Sequence, residues 1–260
     1  MKQNRARRLD GDRFLEQAAA EGLSERLAAM TRNFSTGLMI GAPTRPEWKD
    51  LAANWSQADF SENEILGAEE ENFDLAVSIF SLQAINDLPG ALTQIRRALK
   101  PDGLFLGALF GGATLTELRQ SFAQAESATT GGISPRVSPF ADVRDLGGLL
   151  QRAGFALPVA DVERVQARYA DFSALVRDLR VHGLTNTLRE RRKRFLRRDT
   201  LGAMLAHYRS EHVQGGKLNA TFEIVYLTGW APHHNQQQPL KPGSAKTRLA
   251  DALGTVERKT

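Results

Sequence analysis

Residues 73–112 constrain the fold of this chain more than any other stretch. They read FDLAVSIFSLQAINDLPGALTQIRRALKPDGLFLGALFGG, with two short apolar runs at 73–80 and 104–110. Such runs are typical of strands buried on both faces, and the apolar residues between them recur at the spacing of an amphipathic helix. Pro101 ends that helix because it disfavours helical geometry at the preceding residue. The stretch therefore predicts a parallel βαβ unit with a right-handed crossover.

The composition is that of a globular α/β domain. The chain has 260 residues, of which 42% are hydrophobic and 25% charged, and it has no cysteine. The absence of cysteine excludes disulfides, thiolate metal ligands and thiol nucleophiles. No apolar run reaches the roughly 20 residues that a membrane span needs, and no secretory signal is present. We therefore expect a cytoplasmic protein without a membrane span.

Several short blocks accompany the central stretch. They are TLTELR at 114–119, GGISP at 131–135, SPF at 138–140, DLG at 145–147, RAGF at 152–155, GW at 229–230 and PGSA at 242–245. With these blocks the chain resembles the class I S-adenosylmethionine (SAM)-dependent methyltransferases. More narrowly, it resembles the branch of the mitochondrial complex I assembly factor that hydroxylates an arginine, together with its bacterial relatives.

The resemblance implies a three-layer αβα sandwich around a Rossmann-like, mainly parallel sheet. We predict an N-terminal helical arm at 1–31 and a methyltransferase-like domain at 32–231. A helical insertion at about 170–212 precedes the last strand, and a flexible polar tail covers 232–260. The implied cofactor is SAM, and the implied partner is a protein, a subunit of respiratory complex I. The implied substrate is an arginine side chain of another protein.

The cofactor loop departs from the family pattern. An acidic residue and a glycine-rich turn are expected there, whereas this chain has Met39, Gly41, Pro43 and Arg45 at the corresponding places. Proline removes an N–H group and fixes φ where the family has a flexible glycine. Roughly 20 residues are also missing before residue 73, so we predict an abridged N-terminal half in which 65–69 is the remnant of a third strand.

Five residues are candidates for cofactor binding. Gly41 keeps one glycine of the loop, and Asp59 lies about where a dinucleotide-type fold places a ribose-binding carboxylate. A plain turn aspartate is an equally good interpretation of Asp59. Glu69 and the loop residues Ser81 and Leu82, where the backbone near Ser81 would contact the cofactor, complete the set. The sequence identifies no catalytic residue and no metal site.

Three further polar features have alternative interpretations. The basic stretch 189–198, RERRKRFLRR, indicates either an anionic partner, which would be nucleic acid or a membrane surface, or a solvated helix face. We favour the helix face, and nucleic acid is not an expected partner, because interleaved aromatic residues are lacking. Thr114 and Glu117 have the spacing of a helix capping box. Glu126 is predicted to lie on an exposed helix surface.

Two functional hypotheses follow. In the first, the chain is an enzyme that binds SAM through the abridged site and modifies a protein side chain. In the second, it is an inactive methyltransferase fold that serves as a binding or assembly module and keeps its partner-facing elements, the loop at 129–140 among them. A small-molecule or carrier-protein O-methyltransferase is a weaker third interpretation, since it shares the LKPDG block but not the tail.

Overall fold

The computed structural model describes residues 9–41, 46–186, 188 and 191–237, which form one mixed sheet with helices on both faces. In chain order the elements are α1 (Phe14–Ala28), β1 (Phe34–Ile40), a 3-10 helix (Pro46–Leu51), β2 (Ala52–Ala58), β3 (Phe73–Ile79), a 3-10 turn (Leu82–Ala84), α2 (Leu88–Ala98), β4 (Leu99–Phe110), α3 (Thr116–Thr130), α4 (Val143–Arg152), β5 (Ala156–Tyr169), α5 (Phe172–Val181), α6 (Arg198–Glu211), β6 (Val213–Gln214) and β7 (Lys217–Trp230).

The strand order is β2-β1-β3-β4-β7-β5, and the short β6 pairs with β7. Strands β1 to β4 are parallel, whereas β7 runs antiparallel to both β4 and β5. The predicted βαβ unit is β3-α2-β4, in which Leu75 lies opposite Leu104. The mainly parallel sheet predicted from the sequence is therefore confirmed.

Two hydrophobic cores lie on the two faces of the sheet, which confirms the three-layer architecture. One core joins the sheet to α1, α3 and α6, and the other joins it to α2 and α4. Leu15 and Leu23 of α1 are fully buried in the first core together with Tyr226 of β7. The helix predicted as an arm is thus part of one layer of the sandwich, and the division into three segments stays a prediction.

The N-terminal half is abridged, as predicted, and β2 is an edge strand. The connection 59–72 contains neither helix nor strand, only a single antiparallel bridge between Phe60 and Leu66. The prediction of a remnant strand at 65–69 is wrong. Leu66 N donates to Gln94 Oε1 at 2.8 Å, and Gln94 Nε2 donates to Glu64 O at 2.9 Å. These bonds hold the connection against α2 instead of the sheet.

The first residues of the predicted flexible tail are anchored. Asp102 N donates to Ala231 O at 3.1 Å, and Ala231 N donates to Gly103 O at 2.8 Å. Gln236 Nε2 then donates to the Asp102 carboxylate at 2.8 Å. The tail therefore starts folded against the beginning of β4, and residues 238–260 lie outside the described part.

The basic stretch does not form the solvated helix face that the sequence favoured. Residues 191–197 have no regular secondary structure, and α6 begins only at Arg198. Residues 189 and 190 lie outside the described part. No helix in the described ranges is both long and apolar enough to cross a membrane.

Candidate functional site

The carboxyl edge of the sheet, where the parallel strands β1 to β4 end, is where ligands bind in open α/β folds. Gly41 follows β1 with φ of +77°, a conformation that glycine adopts without strain. Asp59 follows β2, and Gly41 N donates to Ala58 O at 2.8 Å. Gly41 and Asp59 are therefore neighbours at this edge.

The surroundings of Asp59 agree with either interpretation of this residue. It is exposed, and its Oδ1 accepts a hydrogen bond from Phe60 N at 2.9 Å, as a turn aspartate does. An exposed carboxylate at a strand end is also what a ribose diol requires. Residues 42–45, which follow Gly41, lie outside the described part.

Ser81 and Leu82 hold the loop after β3 against the sheet. The Ser81 hydroxyl donates to Ile40 O at 2.9 Å and is 2.6 Å from Ser78 Oγ. Leu82 is 1% exposed and packs in the core beneath α2. Neither side chain faces solvent at the carboxyl edge, and a cofactor contact through the backbone near Ser81 stays a prediction.

Glu69 lies at the opposite edge of the sheet. It shortly precedes β3, and its carboxylate accepts from Asn72 Nδ2 at 3.3 Å. Asn72 N donates in turn to Ala98 O at the end of α2, which is the amino edge of β3 and β4. The structure thus brings Gly41 and Asp59 together but does not bring Glu69 to the same edge.

Glu64 is a residue of this region that the sequence analysis missed. Its carboxylate accepts hydrogen bonds from Asn86 N at 2.7 Å and Asp87 N at 2.8 Å, just before α2 begins. These backbone hydrogen bonds, with Asn86 the stronger, lower the pKa of Glu64. The position before a helix N-terminus favours the same charged form. Glu64 therefore fixes the connection 59–72 to the loop after β3.

The described residues do not fit SAM in the manner of the family. The Gly41 N–H is bound to β2, and the Ser81 hydroxyl is bound to β1. On β2 the residues Ala53, Asn54, Ser56 and Gln57 are exposed, so no neighbouring strand completes this side of the site. Of the five predicted contacts, Asp59 alone presents an exposed polar side chain at the carboxyl edge.

A buried carboxylate organises the other half of the carboxyl edge. Glu126 of α3 is 0% exposed and accepts from Ser134 N at 2.6 Å, from Ser134 Oγ at 2.7 Å and from Arg136 Nε at 2.7 Å. Arg192 Nη1 lies 3.6 Å from the same carboxylate. Burial alone would raise the pKa of Glu126, but the hydrogen bonds from Ser134 and Arg136 outweigh it and lower the pKa.

The prediction that Glu126 lies on an exposed helix surface is therefore wrong. Helical spacing contains the signal that was missed, because Leu118 and Phe122 precede Glu126 at intervals of four and both are buried. Glu126 shares their face, and the polar partners that allow its burial come from the loop 131–140. Asn186 Nδ2 also donates to Pro135 O of this loop at 2.6 Å.

The turn after β4 is fixed by β7. Glu223 Oε1 accepts from Ala113 N at 3.2 Å, and Glu223 Oε2 accepts from Arg164 Nε at 3.1 Å. A Cβ atom on Gly111 would lie 2.5 Å from Glu223 Oε1, so the close approach of the two segments requires glycine there. This contact closes the end of the sheet that the loop 131–140 borders.

The capping box predicted from Thr114 and Glu117 is not formed. Thr114 Oγ1 donates to Glu223 O at 3.1 Å, and Glu117 Oε2 accepts from Thr221 N at 3.1 Å. Leu115 is the N-cap residue of α3, without a side-chain cap. Both side chains are used to join α3 to β7, a long-range contact that local spacing does not reveal.

A groove of about 460 Å³ lies beside the loop, between α3 and α6. Gln120, Gln124, Ile133, His207 and Glu211 are among its lining residues. His207 Nδ1 is 3.1 Å from the buried Ser121 hydroxyl, which fixes the imidazole on the wall of the groove. No group of three or more His, Asp or Glu residues in the described ranges is arranged to hold a metal ion.

Comparisons with known proteins agree with this fold. A methyltransferase domain family matches residues 4–158. The arginine-hydroxylase NDUFAF5, mitochondrial, of Danio rerio is 42% identical over 233 residues, covering 89% of this chain and 71% of that protein. The Mus musculus protein of the same name is 46% identical over 262 residues, covering 92% and 76%.

Two more distant matches extend the comparison. The malonyl-[acyl-carrier protein] O-methyltransferase of Xylella fastidiosa (strain M23) is 38% identical over 185 residues, covering 71% of this chain and 59% of that protein. A solved structure from Bacillus halodurans C-125, described as a methyltransferase, superposes with a TM-score of 0.52 at 12% identity, covering 83% of this chain and 99% of that one. The latter likeness concerns the fold alone. The chain belongs to the class I SAM-dependent methyltransferase family, in the branch of the mitochondrial arginine hydroxylases.

Proposed function

We propose that this protein is a binding module of the methyltransferase fold that acts in the assembly of respiratory complex I. Its working part is the acceptor half, defined as α3, the loop 131–140, β4, β7 and α6. The cofactor half, defined as β1, β2 and the connection 59–72, no longer holds SAM in this proposal. One observation carries the proposal. In the acceptor half, the buried Glu126 fixes the loop 131–140 through Ser134 and Arg136, whereas in the cofactor half β2 is an exposed edge strand.

The contacts of the acceptor half favour recognition of a protein. Glu126 binds Ser134 and Arg136 of the loop, and Glu223 binds the turn after β4, so two neighbouring segments are held in one conformation. A preorganised surface loses little conformational entropy on binding. The groove between α3 and α6 adds a concave surface of mixed polarity. The relatives named arginine hydroxylases make a protein side chain a reasonable target of recognition.

Affinity isolation of the tagged full-length protein from its own cells, with quantification of complex I subunits, tests the proposal. We expect the wild-type protein and Asp59→Ala to recover the same subunits, and Glu126→Gln to recover far less. Circular dichroism of each variant confirms that it is folded. Failure of the folded wild type to recover any complex I subunit would overturn the proposal, as would loss of recovery in Asp59→Ala.

A second candidate function is SAM-dependent modification of a protein side chain. The neighbouring positions of Gly41 and the exposed Asp59 at the carboxyl edge favour it. When bound, SAM supplies an electrophilic methyl group on its sulfonium. Incorporation of labelled methyl groups from SAM into a complex I subunit, abolished by Asp59→Ala, would establish this function and would displace the first proposal.

A further inference from the structure

The sheet has two edges, and the strands that form them differ in charge. Strand β5 carries Pro158 and four charged residues, Asp161, Glu163, Arg164 and Arg168. Charged side chains and proline are what natural proteins place on an edge strand to prevent its pairing with another chain. Strand β2, AANWSQA, has no charged residue and no proline, although 25% of the whole chain is charged. The β2 edge therefore lacks the protection that the β5 edge has.

Contacts with β1 hold β2 in place. The two strands pair in parallel from Ala52 to Ala58 of β2, and no other strand in the part of the chain that the structure describes pairs with β2. Trp55 lies over Gly37 of β1, and its Nε1 donates to Trp48 O at 3.1 Å. The backbone N–H and C=O groups along the second edge of such a strand are a preformed template for a further strand.

The sequence of β2 is complementary to itself in the antiparallel direction. A two-fold axis through Trp55 places Asn54 opposite Ser56 of the second copy and Ala52 opposite Ala58 of the second copy. Asn54 and Ser56 are exposed and share one face of the strand, so an amide meets a hydroxyl in each pair. Like charges, which would oppose the pairing of identical strands, are absent from β2.

We propose that two copies of this protein form a dimer by antiparallel pairing of their β2 strands. The two sheets then form one continuous sheet, and each copy covers the side of the partner copy's cofactor half that the missing unit leaves open. A two-fold interface of this kind is closed, so assembly stops at the dimer. One strand per copy is a small interface, and dissociation in the micromolar range is expected. Pairing with a different protein would not require the self-complementary order of β2. This inference goes beyond the proposed function and does not depend on it.

Sedimentation equilibrium of the full-length protein tests the inference, and we expect a monomer–dimer equilibrium for the wild type. Asn54→Lys combined with Ser56→Lys brings two pairs of like charges together and should raise the dimer dissociation constant about 10-fold. Asn54→Glu combined with Ser56→Glu should have the same effect. An equimolar mixture of the two double variants should recover the dimer, because each lysine then lies opposite a glutamate. Since both positions are exposed, neither double variant disturbs the core.

The matched control is Val159→Lys, which adds a cation to the other edge of the sheet at a residue that is 53% exposed. This variant should dimerise like the wild type, and circular dichroism confirms that each protein is folded. A wild type that is monomeric at the highest concentration measured would overturn the inference. A dimer that both double variants retain would overturn it as well, as would weakened dimers that mixing the two double variants does not restore. A monomeric wild type that binds a complex I subunit, when the lysine variant does not, would assign the β2 edge to a different protein.

Discussion

The cofactor half and the acceptor half of this protein share one sheet but differ in how their loops are held. In the acceptor half, buried Glu126 and Glu223 bind the backbone of the loops that border the carboxyl edge. In the cofactor half, β2 is an exposed edge, and Asp59 contacts the backbone of its own turn. Our proposal therefore places the loss of function in the cofactor half alone.

The difference has a structural explanation. Both cores run beneath β3, β4 and β7, and α1, α3 and α6 cover one face while α2 and α4 cover the other. Deletion of a β/α unit at the outer edge leaves this central packing in place. Loss of the cofactor site, as we propose it, is therefore compatible with the fold, because the site is built from loops on a core that stays intact.

The largest effect that we predict concerns the acceptor half. Glu126→Ala should lower the free energy of unfolding by about 3 kcal/mol, because it leaves Arg136 and Ser134 N without their buried partner. Urea denaturation followed by circular dichroism measures this change. Glu69→Ala, which removes an exposed carboxylate, is the control and should change stability by no more than about 0.5 kcal/mol. Equal effects of the two substitutions would contradict the contrast between the halves.

The pH dependence of stability should report on the same carboxylate. In the folded protein the pKa of Glu126 lies below its usual value of 4.5. Burial alone would raise this pKa, but the hydrogen bonds from Ser134 and Arg136 outweigh the effect of burial. Its stabilising contribution is therefore complete above about pH 4.5 and is lost as the pH falls through the lower folded-state pKa. The difference in unfolding free energy between wild type and Glu126→Gln should shrink over this range. A constant difference down to acid pH would show that the carboxylate is not ionised in the folded protein.

A smaller effect distinguishes the packing of the cofactor half. A Cβ atom on Gly37 of β1 would lie 2.6 Å from the Trp55 ring, which covers this strand from β2. Gly37→Ala should therefore cost about 2 kcal/mol. In Gly148→Ala the new methyl group meets no atom within 4 Å, and a gain of about 1 kcal/mol is expected in the middle of α4. Thermal denaturation compares the two, and a neutral Gly37→Ala would show that Trp55 is free to move away.

The smallest effect concerns the loop after β3. Ser81→Ala removes the hydrogen bond to Ile40 O and should cost about 1 kcal/mol of stability. Urea denaturation followed by circular dichroism measures this change. Stability that is unchanged in Ser81→Ala would contradict the role of this hydroxyl in fixing the loop.

Local patterns in the sequence predicted the elements that depend on local chemistry. The apolar runs of β3 and β4 and the periodicity of α2 follow from burial and helix geometry alone, and all three were confirmed. The missing unit before β3 was also visible, because too few residues separate β1 from β3 to contain it. The strand proposed at 65–69 failed because Gln94 of α2 supplies its hydrogen bonds.

Features that depend on distant partners were not predictable in this way. Thr114 and Glu117 have the spacing of a capping box but bind β7 across the sheet. Glu126 is tolerated on an apolar face only because Ser134 and Arg136 reach it from the following loop. Glu69 lies near the other candidates in the sequence, yet the parallel topology places it at the opposite edge of the sheet.

Isothermal titration calorimetry with SAM and S-adenosylhomocysteine tests the central claim most directly. The wild-type protein, shown to be folded by circular dichroism, is titrated in parallel with Asp59→Ala. The open cofactor half predicts no detectable binding of either ligand to either protein. Micromolar binding to the wild type that is lost in Asp59→Ala would contradict the claim, because it would place a working cofactor site at Gly41 and Asp59.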